Sequence, residues 1–130
     1  NPTAFAYLVE NVVRNGVEET VETYRADCRD VVAGGLEGDE PFSFDRVVMG
    51  YYDAFEYLDS AIAAVSPRGT IHMHEATPEP LVPDRPVGRL RDAVHDAGRT
   101  VEIRETRTVK GYSEGVSHVV VDAVVQGEQQ

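Results

Sequence analysis

The sequence is poor in cysteine, in lysine and in long apolar runs, and each shortage excludes a class of protein. Cys28 is the only cysteine of the 130 residues, so the chain cannot form an internal disulfide, which fits a reducing, cytoplasmic environment. No apolar run approaches the roughly 18 residues of a membrane-spanning helix, and no charged-then-apolar leader opens the chain. We therefore expect one ordinary domain with no membrane partner and no signal peptide.

Positive charge is scarce as well. Acidic residues number 23 against 12 basic ones, for a formal net charge of -11, and Lys110 is the only lysine. We interpret this surface as one built for high salt, which screens its self-repulsion; the alternative is an acidic protein from a high-GC mesophile. Such a charge normally argues against a nucleic-acid partner. The objection weakens in a very salty cytoplasm, where counterion release contributes little to binding.

Hydrophobic periodicity predicts helices and strands in alternating order. The helices are expected at 2–16, 53–65 and 87–98, and the strands at 20–25, 44–50, 70–75, 100–112 and 116–125. The strand at 44–50 is expected to be buried on both faces, and Asp53 to cap the next helix. A glycine-rich loop at 32–43 and a proline-rich extended connection at 76–86 link these elements.

This order favours an α/β fold, in which helices cover a mostly parallel sheet and the closing strand pair adds an antiparallel edge. That ending is the pattern of the class I (Rossmann-like) methyltransferase fold, whose last strand is inserted antiparallel beside the fifth. Such a domain would begin with further strands and a glycine-rich turn, and no Gly-x-Gly-x-x-Gly occurs here. We therefore expect a fragment: residues 1–125 as the C-terminal part of an S-adenosylmethionine-binding transferase domain, lacking the first strands, and 126–130 as a frayed tail.

Four stretches together resemble one family, the archaeal and eukaryotic enzymes that modify guanosine-37 of tRNA. They read "NPTAFAYLVENVVRNGVEETVE", "ADCRDV", "FDRVVMGY" and "VKGYSEGVSHVVVDAVV". The sequence departs from the family pattern at Ala26, which replaces a glycine, and at Ser117, which replaces an aromatic residue. The acidic residue that should precede Asn1 cannot be inspected.

Two features distinguish the branches of this family. The N1-methyltransferases have Asn-Leu-Pro after the fourth strand, where this chain has Gly50-Tyr51-Tyr52, and "TIHMHE" is similar to the His-x-His of the wybutosine-pathway 3-amino-3-carboxypropyltransferases. The resemblance thus implies aminocarboxypropyl transfer to tRNA, by a fragment that is inactive alone, and together with the acidic composition it predicts a halophilic archaeon as the source. The alternatives are a tRNA guanosine-37 N1-methyltransferase or another methyltransferase, and a non-catalytic fragment or oligomeric binding module.

The resemblance also implies S-adenosyl-L-methionine as the cofactor. Its expected contacts follow the carboxyl ends of the strands, where doubly wound sheets bind ligands, and they are Asn1, Pro2, Asp27, Cys28, Met49, Gly50 and Tyr51. Asp27 would accept a hydrogen bond from the adenine amino group, or would merely cap a turn. Gly50 lets the backbone approach a ligand, and the face of Tyr51 suits a sulfonium cation.

The side of the acceptor substrate is assigned to Tyr52, His74, Glu75 and Tyr112. One of the two adjacent tyrosine rings is expected to pack and the other to line the site. His72 and His74 share a strand face, but no third ligand has metal-site spacing, so we expect no metal. His74 and Glu75 are expected to form a substrate-side or structural hydrogen-bonded pair, and His118 to be a satisfied core histidine.

No general base can be assigned, because a sulfonium is already an activated electrophile and the protein mainly aligns the reactants. The partners expected are tRNA, through the full-length protein, and a second copy of the chain. The homodimer would form through a sheet edge that the absence of the first strands leaves exposed.

Overall fold

The structure, a computed structural model, describes residues 2–34 and 43–127 and shows a sheet with helices packed on one face. The described elements are α1 (Pro2–Arg14), α2 (Cys28–Gly34), β1 (Phe44–Met49), α3 (Leu58–Ala64), β2 (Val65–Pro78), α4 (Asp84–Asp96), β3 (Thr100–Ser113) and β4 (Val116–Gln126). Short 3-10 helices occupy Ala54–Tyr57 and Glu79–Leu81. None of the helices in these two ranges is long and apolar enough to cross a membrane.

The strand order of the sheet is β1-β2-β4-β3. β1 runs parallel to β2, whereas β4 is antiparallel to both of its neighbours and lies between β2 and β3. α4 therefore carries the chain from β2 across β4 to β3. The predicted α/β fold class is confirmed, including the last strand inserted antiparallel beside the strand that precedes α4. The sheet was predicted to be mostly parallel, whereas one of the three described strand pairs is parallel and two are antiparallel.

The core lies between one face of the sheet and the helices α3 and α4. Alternate residues of β2, Ile71 and Met73, are fully buried there, against Ile62 of α3 and Leu90 and Val94 of α4. Each such side chain contributes about 1.5–3 kcal/mol on burial. Because strand residues alternate in direction, the residues between them point to the opposite face of the sheet. On that face His72 and His74 of β2 are half-buried.

The predicted strand at 20–25 is wrong. Residues 21–25 have no regular secondary structure, and Val21 and Tyr24 are exposed. Alternation of polar and apolar residues gives an extended segment two unlike faces. A strand also needs a neighbouring strand that completes its backbone hydrogen bonds. In the described ranges β1 pairs only with β2, and no strand is placed beside residues 20–25.

The predicted burial of β1 on both faces is also wrong, because only Met49 is buried and Val48 is 68% exposed. The helix predicted at 53–65 begins as a 3-10 helix, and Asp53 makes no side-chain cap there. The proline-rich connection is shorter than predicted, since β2 continues to Pro78 and α4 already begins at Asp84. Pro86 fits in the first turn of α4 because the amide hydrogen that proline lacks has no partner there.

The helix predicted at 2–16 is confirmed as α1, which ends at Arg14. Gly16, which follows the helix, has a φ of 66°, a left-handed conformation that is common after a helix end. Its apolar side chains Leu8, Val9 and Val13 are nevertheless exposed. The antiparallel strand pair is confirmed, with Glu114 and Gly115 in its turn. Of the glycine-rich loop predicted at 32–43, residues 32–34 instead belong to α2, and residues 35–42 lie outside the described residues. The last three residues of the predicted tail lie outside them as well, and Gln126 still belongs to β4.

Gly69 of β2 is expected to tolerate no side chain. A Cβ atom there would lie 2.5 Å from Val65 Cγ2 and 3.0 Å from the Phe44 carbonyl oxygen, where the register of β1 against β2 shifts. We expect Gly69→Ala to lower the free energy of unfolding by about 1–3 kcal/mol through overpacking. Urea denaturation at constant salt would measure the loss.

Gly88 of α4 is the matched control, since no atom lies within 4 Å of its Cβ position. Gly88→Ala should leave stability unchanged or raise it by up to about 1 kcal/mol, because alanine favours a helix interior. Equal unfolding midpoints for the two variants would contradict the prediction.

Candidate functional site

A pocket of about 670 Å³ lies beside the carboxyl end of β1, between the start of α2 and one face of α3. Four residues that the sequence predicts to bind a cofactor line it: Asp27, Cys28, Met49 and Tyr51. They come from separate segments, which the parallel pairing of β1 with β2 and the packing of α3 bring together. The wall is mostly apolar, with a carboxylate among its lining groups.

Asp27 is the N-cap of α2. Its Oδ1 accepts hydrogen bonds from the backbone N–H of Arg29 at 2.9 Å and from Arg29 Nε at 3.0 Å, and its Oδ2 accepts one from Nη2 at 2.6 Å. These bonds lower the pKa of Asp27 to about 2, so the group stays ionised near neutrality. The capping role of Asp27 is therefore observed. The contact with adenine remains a prediction, and the carboxylate has further lone pairs that can accept a hydrogen bond from the adenine amino group.

The two adjacent tyrosines point to different places. Tyr51 lines the pocket, is 53% exposed, and meets the ring of Tyr57 edge-on at 6.1 Å. The negative charge of Asp53 raises the pKa of the Tyr51 hydroxyl. Tyr52 instead packs against Tyr112 at 4.6 Å between ring centroids. The Tyr52 carbonyl accepts the backbone N–H of Ala76 at 3.2 Å, which ties this turn to the end of β2.

A group of polar side chains lies on the sheet face away from α3 and α4. His72 and His74 share that face, as predicted. Nδ1 of His72 lies 2.6 Å from the carboxylate of Asp122, and Nδ1 of His74 lies 2.8 Å from Nε2 of His118. Within the described ranges, no three His, Cys, Asp or Glu residues gather in a group that could hold a metal ion.

The predicted pair of His74 and Glu75 does not form, because neighbours on a strand point to opposite faces. Glu75 is 1% exposed and faces α4, where its carboxylate accepts hydrogen bonds from Arg85 Nε at 3.2 Å and Arg89 Nη1 at 2.6 Å. The hydroxyl of Thr77 donates a further bond to it. Glu75 therefore joins β2 to α4, and these contacts give no support to its predicted place on the substrate side.

Two other predicted cofactor residues, Pro2 and Gly50, are not among the lining groups. Pro2 is the exposed first residue of α1, and Asn1 lies outside the described residues. Gly50 lies between two lining residues, and a Cβ atom there would meet nothing within 4 Å. The predicted substrate-side residue Tyr112 is 52% exposed beside Tyr52.

Several lining residues escaped the sequence interpretation. The most informative are Ser60, Ala61 and Ala64, small side chains on one side of α3 that leave room for the pocket. Their spacing was the available signal, since positions three and four apart on a helix share a face. Arg46 was also missed as a lining residue; its Nη1 donates to Nε2 of His72 at 3.2 Å, which connects the pocket wall with the polar sheet face.

The chain is similar to tRNA-modifying enzymes of archaea. A tRNA(Phe) (4-demethylwyosine(37)-C(7)) aminocarboxypropyltransferase of Methanocaldococcus jannaschii is 37% identical over 124 residues, 95% of this chain and 47% of that protein. The crystal structure of M. jannaschii TYW2 in complex with AdoMet superimposes with a TM-score of 0.85 at 36% identity, over 97% of this chain and 54% of that one. The tRNA (guanine(37)-N(1))-methyltransferase Trm5b of Pyrococcus abyssi is 27% identical over 94% of this chain and 34% of that protein.

The chain thus spans about half the length, or less, of the curated relatives it matches. The family model described as the TRM5/TYW2 methyltransferase domain matches residues 1–103, which include α1 to α4, β1 and β2. The structural likeness to TYW2 agrees with that match. The chain belongs to the TRM5/TYW2 methyltransferase domain family.

Proposed function

We propose that this chain is part of an S-adenosylmethionine-dependent transferase that acts on guanosine-37 of tRNA and transfers the 3-amino-3-carboxypropyl group in wybutosine-type modification. The observation that carries the proposal is the pocket beside β1, where Asp27, Met49 and Tyr51 meet. The relatives with at least 30% identity name the reaction, because both are aminocarboxypropyltransferases acting on position 37 of tRNA(Phe). Residues 1–125 are proposed as the C-terminal part of the transferase domain.

The pocket suits S-adenosylmethionine by the chemistry of its lining groups. Apolar walls at Val47, Ala61 and Ala64 fit the flat adenine ring, and the ionised carboxylate of Asp27 fits an amino group at its edge. The electron-rich face of Tyr51 favours a cation such as sulfonium. The cofactor, when bound, supplies an activated carbon next to a positively charged sulfur. The protein then contributes orientation and exclusion of water more than acid–base chemistry.

The acceptor base is assigned to the other side of the Gly50–Tyr52 turn. Tyr52 and Tyr112 offer aromatic faces on which a nucleobase can stack, and His74 lies next to them through His118. Tyr51 and Tyr52 are consecutive residues of this turn, but Tyr51 lines the pocket whereas Tyr52 packs against Tyr112. The reactive carbon of the cofactor on one side of the turn and the acceptor base on the other side can therefore meet above the turn.

Product analysis tests the proposal and separates it from N1-methylation, the reaction of the 27% identical relative. The full-length gene product is incubated with tRNA(Phe) that carries 4-demethylwyosine at position 37, the acceptor named for the relatives, or with tRNA(Phe) that carries guanosine there. The S-adenosylmethionine is labelled either in the methyl carbon or in the aminocarboxypropyl carbons. We expect only the second label to reach the tRNA.

Transfer of the methyl label alone would replace the proposal by the methyltransferase alternative. Transfer of neither label, by a folded protein that binds the cofactor, would favour the non-catalytic alternative. Reaction with a tRNA transcript that carries adenosine at position 37 is the control, and no label should be incorporated there.

The composition and the exposed strand edge also bear on the setting of the protein. The charge of -11 with a single lysine supports the cytoplasm of a halophilic archaeon. Among the described residues no strand lies on the outer side of β1, where Phe44 and Val48 are exposed, and this supports the expectation that a second copy of the chain pairs there.

A further inference from the structure

The hydrogen bond between His74 and His118 constrains where both rings carry their protons. Nδ1 of His74 and Nε2 of His118 lie 2.8 Å apart, so one nitrogen donates a proton and the other accepts it. Burial, ahead of nearby positive charge, lowers the pKa of both histidines, which favours neutral rings with one N–H each.

The second nitrogen of His118 decides between the two arrangements. His118 is 9% exposed, and its Nδ1 is buried without a hydrogen-bond partner among the described residues. A buried N–H left without an acceptor is rarer in proteins than a buried lone pair left without a donor. The proton of His118 therefore belongs on Nε2, where it is donated to Nδ1 of His74.

The proton of His74 must then lie on Nε2, because its Nδ1 is already the acceptor. His74 is half-buried, and no hydrogen bond joins its Nε2 to another of the described residues. The rings of Tyr52 and His118 form a T-shaped contact, with centroids 4.9 Å apart and an interplanar angle of 79°, which limits rotation of the His118 ring. A fixed N–H donor thus stands beside the aromatic pair of Tyr52 and Tyr112.

We propose that His118 is a positioning residue that holds His74 in its Nε2–H form, so that His74 donates a hydrogen bond to a carbonyl oxygen on the edge of a guanine-derived base stacked on Tyr52 and Tyr112. The inference rests on the proposed function for the identity of the base. A flat ring with a carbonyl acceptor is the ligand that an N–H donor next to aromatic faces recognises.

Nitrogen-15 NMR of the imidazoles in the full-length gene product tests the proton positions without any reaction. We expect both His74 and His118 to show the Nε2–H tautomer near pH 7.5. In His118→Phe the acceptor role of His74 Nδ1 is lost, and His74 should become a mixture of tautomers. In His118→Gln, whose amide N–H can replace the lost donor, His74 should return to Nε2–H. A wild-type His74 protonated on Nδ1 would overturn the proposal.

Transfer kinetics test the contact with the base. We expect His118→Phe to lower kcat/KM for tRNA about 3- to 10-fold, the value of one neutral hydrogen bond, with the affinity for S-adenosylmethionine unchanged. His118→Gln should recover most of the loss. His74→Phe and the double variant should be equally impaired, because both residues act through one bond. Additive losses in the double variant would contradict the coupling.

The two proposals fail in different ways. If neither label of S-adenosylmethionine reaches tRNA, the proposed function is overturned, and with it the base contact, whatever the tautomers are. If the aminocarboxypropyl label is transferred but His74 carries its proton on Nδ1, only the role of His118 is overturned. Thermal unfolding of each variant, compared at equal salt, identifies a loss of folding.

The pH dependence gives an independent signature of the pair. Charged and titratable groups facing it are His72 on β2, Arg107, Lys110 and Tyr112 on β3, Asp122 on β4, and Tyr52 after β1. Because the pKa values of both histidines are lowered in the folded protein, their stabilisation is complete above about pH 6.5 and is lost as the pH falls through the lowered values. His118→Phe should flatten this decline in the midpoint of thermal unfolding, and an unchanged decline would contradict the pairing of two neutral rings.

Discussion

Replacement of Glu75 by alanine is expected to lower the free energy of unfolding by about 3 kcal/mol, the low end of the range for breaking a buried ion pair. The carboxylate is 1% exposed and accepts bonds from Arg85, Arg89 and Thr77. The two guanidinium groups are 30% and 31% exposed, so water can partly solvate them once Glu75 is gone. A small domain is stable by only about 5–15 kcal/mol, so this loss is a large fraction.

Glu102 is the matched control for Glu75. It forms an ion pair with Arg104 at 3.4 Å, but its side chain is 56% exposed. Glu102→Ala should change the free energy of unfolding by at most about 1 kcal/mol, because water screens an exposed pair. Chemical denaturation of both variants at one salt concentration measures the difference. Similar losses at the two sites would mean that the contacts of Glu75 with α4 do not contribute as a buried network.

A tryptophan at position 60 is expected to abolish most binding of S-adenosylmethionine. Ser60 is half-buried and lines the pocket beside Ala61 and Ala64, so a large side chain there enters the space proposed for the cofactor. We expect Ser60→Trp to weaken cofactor affinity about 100-fold or more, which corresponds to about 2.7 kcal/mol or more. Isothermal titration of the full-length gene product with S-adenosylmethionine measures it.

Asp59→Trp adds the same side chain one position earlier on α3, where the residue is exposed and does not line the pocket. Its affinity for the cofactor should equal that of the wild type. If both tryptophan variants bind normally, the cofactor does not occupy this pocket and the proposed site is wrong. A loss in both would instead point to a general defect of α3, which circular dichroism would detect.

Much of the fold was predictable because its signals are local. The 3.6-residue spacing of apolar residues marked α1 and α4, and the alternating runs marked β3 and β4. The order of these elements was enough for the fold class, since the last strand pair has a characteristic place in this sheet. The segment 20–25 failed because its alternation matched a strand for which the described residues supply no neighbour.

The site was predictable only in part. Asp27, Met49 and Tyr51 were assigned to strand ends, and the packing of separate segments brings them around one pocket. Residues such as Ser60 and Ala64 carry no chemical signal of their own. A small side chain leaves room for a ligand only where other segments of the chain form the remaining walls of a pocket. The resemblance to a known family supplied the cofactor, which no composition or spacing could have supplied.

The sequence by itself determined most of the helical and extended segments, with 20–25 and α2 as exceptions, and it determined through alternation that His72 and His74 share a face. Only the tertiary structure decided what each face meets. His74 is paired with His118 across the sheet, Glu75 is buried against α4, and Tyr51 and Tyr52 are divided between two sites. The reason is physical: side-chain direction follows from local backbone geometry, whereas hydrogen-bond partners and pocket walls come from residues far apart in the chain.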